Sequence, residues 1–202
     1  DEIIGVKDEV VEQPLVVGTP KVVPKLVKKE PVIQKIEKDK TGGVFVTVGW
    51  GGTILTSLDG TSWTERTSGA PKIFWSITYG NGLFVTVGRS GTILTSSDGT
   101  SWTQRTSAAG DNLYGVAYGN GLFVSVGAKA GVFKVGSAGT ILTSSDGISW
   151  TKTNPGAPVS LAGVTYGNGL FVAVSEVGTI LTSTDGISWT QRYSGRGEKF
   201  SD

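Results

Sequence analysis

Four aspartates are the residues of this chain best suited to chemistry, because each stands in the same short phrase. A serine lies two residues before the aspartate, a glycine directly after it, and a tryptophan four residues after it. The pairs are Asp59 with Trp63, Asp98 with Trp102, Asp146 with Trp150, and Asp185 with Trp189. Clustered carboxylate and hydroxyl oxygens could bind calcium or a sugar, or they could hydrogen-bond the backbone of an Asp-Gly turn. We expect these eight residues to be structural, with no bound metal or cofactor.

The residue types that are missing exclude several classes of function. The 202 residues include no histidine and no cysteine, which removes the commonest general base, disulfides and thiolate metal sites. The net charge of +1 provides no basic stripe for nucleic acid. No apolar run approaches the ~20 residues that cross a bilayer as a helix. We therefore expect a protein that is not an enzyme, with no nucleic-acid partner and no membrane-spanning segment.

The aspartate phrase belongs to a longer repeat that determines the fold. The four tryptophans are separated by 39, 48 and 39 residues, and a period near 40 with β patterning is typical of propeller blades. In the second unit, four alternating segments predict strands: FWSITYG, LFVTVG, TILTS and WTQRTS, beginning at Phe74, Leu83, Thr92 and Trp102. Glycine-rich GNG and SDG turns join them. The sequence predicts an all-β, four-unit β-propeller with four-stranded antiparallel blades.

The phrases SLDGTSW, SSDGTSW, SSDGISW and STDGISW, from Ser57, Ser96, Ser144 and Ser183, resemble Asp-box, or BNR-type, repeats. The longer phrase YGNGLFVxVG…GTILTSxDGxSWT is similar to propeller repeats of bacterial surface and phage structural proteins. The resemblance implies a propeller over roughly residues 42–195, with aspartates holding turns and tryptophans packing between sheets. It also implies a location at the cell surface, outside the cell or in a virion. The usual Asp-box has a residue between the aspartate and the glycine, so the turn here is a shortened variant.

The first 40 residues differ from the rest in composition. They carry 8 of the 18 lysines and arginines, four prolines and no aromatic residue. Spaced prolines prevent a long helix and favour extended backbone. We therefore divide the chain into an extended Val/Lys/Pro-rich arm at 1–40 and a four-repeat propeller domain at 41–202. The arm is either a semi-rigid linker or a docking segment that adds a strand to a partner.

Closure of the ring is the open question of the predicted fold. Units two to four begin with apolar inner strands, but the residues in register before unit one are the charged IEKDK from Ile36. Residues 32–40 could supply the missing strand, or a second chain could. Alternatively, two half-rings form an eight-bladed assembly, or partners cover the ends of an open stack. Since exposed strand edges invite pairing, self-association is an expected partner class.

The loops predict where a partner would bind. In a four-stranded blade, the turns between the first and second and between the third and fourth strands share one end, and here they are nearly uniform. The other connections vary, and variable loops on one face suit recognition. The predicted partner-binding residues on this loop face are Trp50, Arg89, Lys129, Phe133 and Glu176. Phe133 belongs to a nine-residue insertion that we expect to form a small hairpin.

We interpret the chain as a non-enzymatic structural or binding module on a larger extracellular or virion assembly. The arm would anchor it, and the loops would recognise a protein or glycan. The alternative is a glycan-binding lectin, and a less favoured one is a sialidase-like glycosidase. A sialidase needs converging arginines, but Arg66, Arg105 and Arg192 recur at one position of the outer strand and should lie on separate blades. The two carboxylates outside the repeat, Asp111 and Glu176, are not brought together by the sequence.

Overall fold

The computed structural model describes residues 32–34, 43–107, 109–129, 139–153 and 159–192, with the backbone alone for residues 32–34. Sixteen strands form four four-stranded sheets in these ranges. Each sheet is an antiparallel meander whose strands pair in chain order. This confirms the predicted all-β, four-unit propeller. The described part of the chain has no helix with the length and apolar character that crossing a bilayer requires.

Each sheet is one blade. The first contains β1 (Val32–Gln34), β2 (Phe45–Val48), β3 (Ile54–Ser57) and β4 (Thr64–Arg66). The second contains β5 (Phe74–Gly80), β6 (Leu83–Gly88), β7 (Ile93–Ser96) and β8 (Thr103–Arg105). The third contains β9 (Asn112–Gly119), β10 (Leu122–Ala128), β11 (Gly139–Ser144) and β12 (Thr151–Thr153). The fourth contains β13 (Leu161–Gly167), β14 (Leu170–Ser175), β15 (Ile180–Ser183) and β16 (Thr190–Arg192).

The alternating pattern of the second strand buries both faces of the sheet in the second and third blades. Successive side chains of a strand point to opposite faces. In β6, Phe84 therefore packs on the first blade, whereas Val85 and Val87 pack on the third. We call the side of a blade that faces the following blade its trailing face, and the side that faces the preceding blade its leading face.

Three apolar clusters join the four blades. In the first three blades the trailing face is Val46, Val48 and Ile54, then Val85, Val87 and Ile93, then Val124, Val126 and Ile141. The leading faces that cover them centre on a phenylalanine and a leucine: Phe84 and Leu94, Phe123 and Leu142, Phe171 and Leu181. All of these side chains are at most 1% exposed. Burial of this kind contributes about 1.5–3 kcal/mol for each large aliphatic or aromatic side chain.

The first blade obtains its inner strand from residues that the sequence placed in the arm. Val32, Ile33 and Gln34 pair antiparallel with Val48, Thr47 and Val46. The chain itself therefore supplies β1, and a second chain is not required for that strand. This strand lies before the charged segment from Ile36, which the repeat aligns with the inner strands of the other units. An inner strand next to the mostly apolar β2 favours Val-Ile over consecutive charges.

A β-bulge near the start of the inner strand in the second, third and fourth blades places one side chain differently from the regular ladder. The bulge lies at Trp75 in β5, at Tyr114 in β9 and at Ala162 in β13. The rings of Trp75 and Tyr114 meet with centroids 4.8 Å apart. This aromatic contact joins the inner strands of the second and third blades, where Val116 also donates its N–H to Ser76 Oγ at 3.2 Å.

We predict that Leu142→Ala lowers the free energy of unfolding by about 2–5 kcal/mol, because it leaves a cavity between the second and third blades. The matched substitution Leu58→Ala should change it by less than about 0.5 kcal/mol, since Leu58 is 78% exposed. Urea denaturation followed by tryptophan fluorescence measures both. Equal losses in the two variants would show that the interface between blades is not what stabilises the domain.

Candidate functional site

The four aspartates of the repeat are committed to their own turns. Oδ1 of Asp98 accepts hydrogen bonds from the N–H groups of Thr100 and Ser101, at 2.7 and 2.9 Å, and from Ser96 Oγ at 2.9 Å. Ser96 Oγ in turn accepts the N–H of Gly99 at 2.8 Å. The same bonds recur around Asp59, Asp146 and Asp185. Within the described ranges, no three acidic side chains converge on a point that could hold a metal ion.

These hydrogen bonds stabilise the charged form of each carboxylate. The backbone N–H groups of Ser149 and Ile148, with the hydroxyl of Ser144, lower the pKa of Asp146 to about 2. Backbone N–H donation also holds the pKa of Asp59, Asp98 and Asp185 well below the ordinary range. Donors aimed at an ionised carboxylate favour ionisation. The ionised form of the carboxylate is therefore the one that stabilises the turn.

The tryptophans close the same turns and extend them into the blade interfaces. The indole N–H of Trp102, Trp150 and Trp189 donates to the carbonyl of Gly99, Gly147 and Gly186, at 3.0, 3.0 and 3.1 Å. Trp150 is buried against the trailing face of the second blade. Trp63, in the first blade, makes no such hydrogen bond within the part of the chain that the structure describes, and it is half-buried. Among the described residues, no blade precedes the first one for Trp63 to pack against.

The arginines of the outer strands do not converge. Nε of Arg66, Arg105 and Arg192 donates to Thr56, Thr95 and Thr182 Oγ1 of the adjacent strand, at 2.9, 2.8 and 2.8 Å. Each arginine thus binds within its own blade, as their spacing predicts.

The variable connections between second and third strands have a shared backbone design. In the first two blades they are single 3-10 turns, Trp50–Gly52 and Arg89–Gly91. Thr53 and Thr92 close them by donating Oγ1–H to the carbonyls of Trp50 and Arg89, at 2.8 and 2.7 Å. In the fourth blade, Ser175 takes the closing role by accepting the Thr179 N–H on its Oγ at 2.9 Å. Backbone and hydroxyl hydrogen bonds therefore fix these turns. The side chains of Trp50, Arg89 and Glu176 take no part in those bonds, so the residue type at their positions can vary.

Glycine allows these turns to lie against the connection that leads to the next blade. Gly91 has a φ of 69°, and a Cβ there would overlap the Ala109 carbonyl. Gly52, with a φ of 85°, lies in the same way against the Ala70 carbonyl. The two kinds of variable connection are thus packed together at one end of each blade.

The structure places four of the five predicted binding residues on exposed positions at this end of their blades. Trp50, Arg89 and Glu176 directly follow equivalent residues of the second strand, and Trp50 is 40% exposed. Lys129 follows β10 and is also exposed. Phe133 and the predicted hairpin of the insertion lie outside the described residues.

A charged group adjoins Lys129 in the third blade. Asp111 accepts a hydrogen bond from Thr140 Oγ1 at 2.6 Å and forms an ion pair with Lys152 Nζ at 3.1 Å. The Thr140 hydroxyl, followed by Lys152 and Lys129, lowers the pKa of the Asp111 carboxyl. Asp111 is therefore hydrogen-bonded and ion-paired within the third blade. Glu176, the other carboxylate outside the repeat, lies in the fourth blade.

A shallow pocket of about 530 Å³ lies beside Trp50 in the first blade. Its lining includes Gly51 and Gly52, Glu65 and Arg66 of β4, and the connection at 67–71. The pocket thus lies between the turn that begins at Trp50 and the end of the outer strand.

Sequence reasoning missed two kinds of exposed residue. Leu58, Ile148 and Ile187 lie at 78%, 44% and 55% exposure in the turns at the uniform end of the blades. Val174, in β14, is 41% exposed although its repeat equivalents are buried. The blades follow one another in chain order, and β14 belongs to the last of them. Counting the blades could therefore have identified Val174 as a valine whose face no following blade covers.

No protein-family model matches the chain, and no curated protein matches it. Solved structures with the same fold include YCF48 bound to a D1 peptide and YCF48 from Cyanidioschyzon merolae, both 19% identical, with TM-scores of 0.56 and 0.58. The match covers 83% and 86% of this chain, which spans only 60% of those two. An α-L-arabinanase from Penicillium chrysogenum, complexed with arabinobiose, is 14% identical, with a TM-score of 0.51 over 81% of this chain and 64% of that one. At these identities the similarity establishes the β-propeller fold.

The turn aspartates predict a loss of stability in acid. Their pKa values are lower in the folded chain than the ordinary 3.8, so the unfolded chain binds protons first as the pH falls. Their contribution is complete above pH 4 and decreases toward and below pH 2. Asp146→Asn should make the free energy of unfolding fall less steeply in this window, whereas Ser145→Ala, which removes no titratable group from the same exposed turn, should leave the slope unchanged. Urea titrations from pH 5 to pH 2 measure this, and identical slopes for wild type and Asp146→Asn would refute it.

The loop design predicts that Gly91→Ala destabilises the domain more than Gly82→Ala. Both glycines have positive φ, 69° and 74°, so both substitutions incur a backbone cost of about 1 kcal/mol. Only at Gly91 does the new methyl overlap a neighbour, and nothing lies within 4 Å of a Cβ on Gly82. We expect an additional loss of at least about 1 kcal/mol in the free energy of unfolding for Gly91→Ala. Equal losses would mean that the turn is not held against residue 109.

Proposed function

We propose that the protein is a non-enzymatic binding module that recognises a protein partner through the loop face. The observation that carries this proposal is the contrast between the two ends of the blades. At one end, hydroxyl and backbone bonds fix similar turns that carry an indole, a guanidinium and a carboxylate at equivalent positions. At the other end, the turns repeat the backbone together with the serine, aspartate, glycine and tryptophan residues of the phrase. A fixed backbone with variable exposed side chains is what a recognition surface requires.

The chemistry of the loop face favours a polypeptide as the partner. Trp50 and Arg89 are of the types that contribute most to protein interfaces. The pocket beside Trp50 offers backbone groups together with Glu65 and Arg66, which suit the amides and charged side chains of a peptide. YCF48, which shares the fold, has been solved with a D1 peptide. That supports a propeller of this kind as a peptide-binding scaffold.

A glycan is the second candidate partner. The 40% exposed indole of Trp50 could stack on a sugar ring, and an arabinanase of the same fold has been solved with arabinobiose. We favour protein recognition because the positions equivalent to Trp50 hold arginine and glutamate in other blades. A lectin built from repeated sites would carry an aromatic ring in several of them.

Two features support a role without catalysis. Asp111, a carboxylate outside the repeat, is occupied by Thr140 and Lys152. The outer-strand arginines bind threonines of their own blades. We propose from the repeat resemblance and the composition of the arm that the module is located on an extracellular or virion assembly, with the N-terminal arm as its anchor.

We predict that peptides selected on the full chain from a displayed random library bind through the loop face. Combined Trp50→Ala, Arg89→Ala and Glu176→Ala should weaken the dissociation constant of a selected peptide at least about tenfold. A matched control, Ser97→Ala with Ser145→Ala and Thr184→Ala, changes three exposed residues at the uniform end and should leave it unchanged. Titration calorimetry on both variants measures the difference.

Two results would contradict the proposal. Selected peptides that bind the triple loop variant as tightly as wild type would place recognition elsewhere. A library that yields no binder, with a glycan array that does, would favour the lectin alternative.

A further inference from the structure

The trailing face of the fourth blade has the residue types of the buried trailing faces but is open. Val172, Val174 and Ile180 are at the positions that are at most 1% exposed in the first three blades. Here Val174 is 41% exposed, and Val172 and Ile180 are only half-buried. Three valine and isoleucine side chains at one end of the domain thus lack the neighbour that their equivalents have.

A second contact is missing at the same face. The glycine that ends the inner strand of the second and third blades lies directly under a tyrosine of the following blade: a Cβ on Gly80 would overlap the Tyr118 ring, and one on Gly119 would overlap Tyr166. At Gly167, in the fourth blade, a Cβ would meet nothing within 4 Å. The open face therefore extends from the second and third strands to the inner strand.

The leading face of the first blade is open in the complementary way. Phe45 and Leu55 are half-buried, whereas the phenylalanine and leucine at the same positions in the other blades are at most 1% exposed. A Cβ on the turn glycine Gly60 would approach only Phe45 of its own blade. By contrast, a Cβ on Gly99 would lie 3.1 Å from Val46 Cγ2 of the preceding blade.

We propose that these two open faces bind each other between two copies of the chain. The repeat itself identifies the occupant: three times within the chain, a Val-Val-Ile trailing face is buried by a Phe-Leu leading face. The fourth blade carries an open trailing face, and the first blade carries an open leading face. Such a contact is heterologous, because it joins two different surfaces of the chain. It gives a closed assembly when the rotations that relate successive copies sum to a full turn. Two copies provide eight blades, within the range of about four to eight that propellers use, so two identical interfaces close one ring.

The interface between copies is less complete than those within the chain. The chain has no tyrosine before Tyr79, so the first blade of a second copy cannot cover Gly167 as Tyr118 covers Gly80. The net charge of +1 adds little repulsion between copies. We therefore expect a reversible dimer that dissociates on dilution.

Sedimentation velocity of the full chain tests the proposal. The expected species at high concentration has twice the 21.0 kDa mass of one chain. Val174→Asp and Leu55→Asp should each raise the dissociation constant at least about a hundredfold, because each buries an unpaired carboxylate. Ile148→Asp, on an exposed turn away from both faces, is the control and should leave the dimer intact. A monomer at every concentration, species larger than two copies, or a dimer that both interface variants leave unchanged would each overturn the proposal.

Cysteine pairing identifies the contact directly, since the native chain has no cysteine. Within the chain, a Cβ on Gly147 would lie 3.4 Å from Val85 Cγ2, and the equivalent pair across the proposed interface is Val172 with Gly60. Val172→Cys with Gly60→Cys should give a disulfide-linked dimer on a non-reducing gel, which either single variant should not give. Val85→Cys with Gly147→Cys is the positive control and should oxidise within one chain. Failure of the first pair to link while the control pair oxidises would overturn the head-to-tail contact.

Discussion

Burial of sheet faces against neighbouring blades is the constraint on which the rest of the structure depends. In the second and third blades, the second strand alternates a phenylalanine that packs on the blade before with valines that pack on the blade after. A blade therefore cannot complete its own core, and only a neighbour can remove its second face from water. The Asp-Gly turns of the second, third and fourth blades serve the same interface, because the glycine after the aspartate admits a valine of the preceding blade. The ionised carboxylate and the indole N–H then hold that turn in place.

This constraint separates the surface into regions with different tasks. In the uniform turns the serine, aspartate and tryptophan side chains are occupied by local hydrogen bonds, so these residues have little freedom to vary. The loops at the opposite end are held by backbone and hydroxyl groups, and the exposed side chain of each contributes nothing to the interface. That freedom is what allows Trp50, Arg89 and Glu176 to differ. The open leading face of the first blade and the open trailing face of the fourth blade form a third region. They carry the same apolar residue types as the buried interfaces, but no blade of the described chain covers them.

Most of the fold could be predicted from the sequence because the repeat states the same local pattern four times. The strands of the second unit, from Phe74 to Trp102, lie within a residue or two of their predicted limits. The inner strand of the first blade could be limited only to residues 32–40, as one of several alternatives, because Val32–Gln34 lies outside the repeat phrases and only its pairing with β2 identifies it. The exposed positions of Trp50, Arg89, Lys129 and Glu176 follow from topology, but their role as a binding site stays a prediction. Val174 was missed because its sequence context is that of a buried valine, and only its place at the end of the row exposes it.

Hydrogen exchange at several protein concentrations tests most directly whether a neighbouring blade is what completes each sheet. β6 and β10 have both faces covered within one chain, so their amides should be protected equally at all concentrations. β14 and β15 have one open face, so their protection should be lower in dilute solution and should rise as copies associate. If β14 and β15 are already as protected as β10 in dilute solution, and concentration changes nothing, the fourth blade needs no neighbour and the account is wrong.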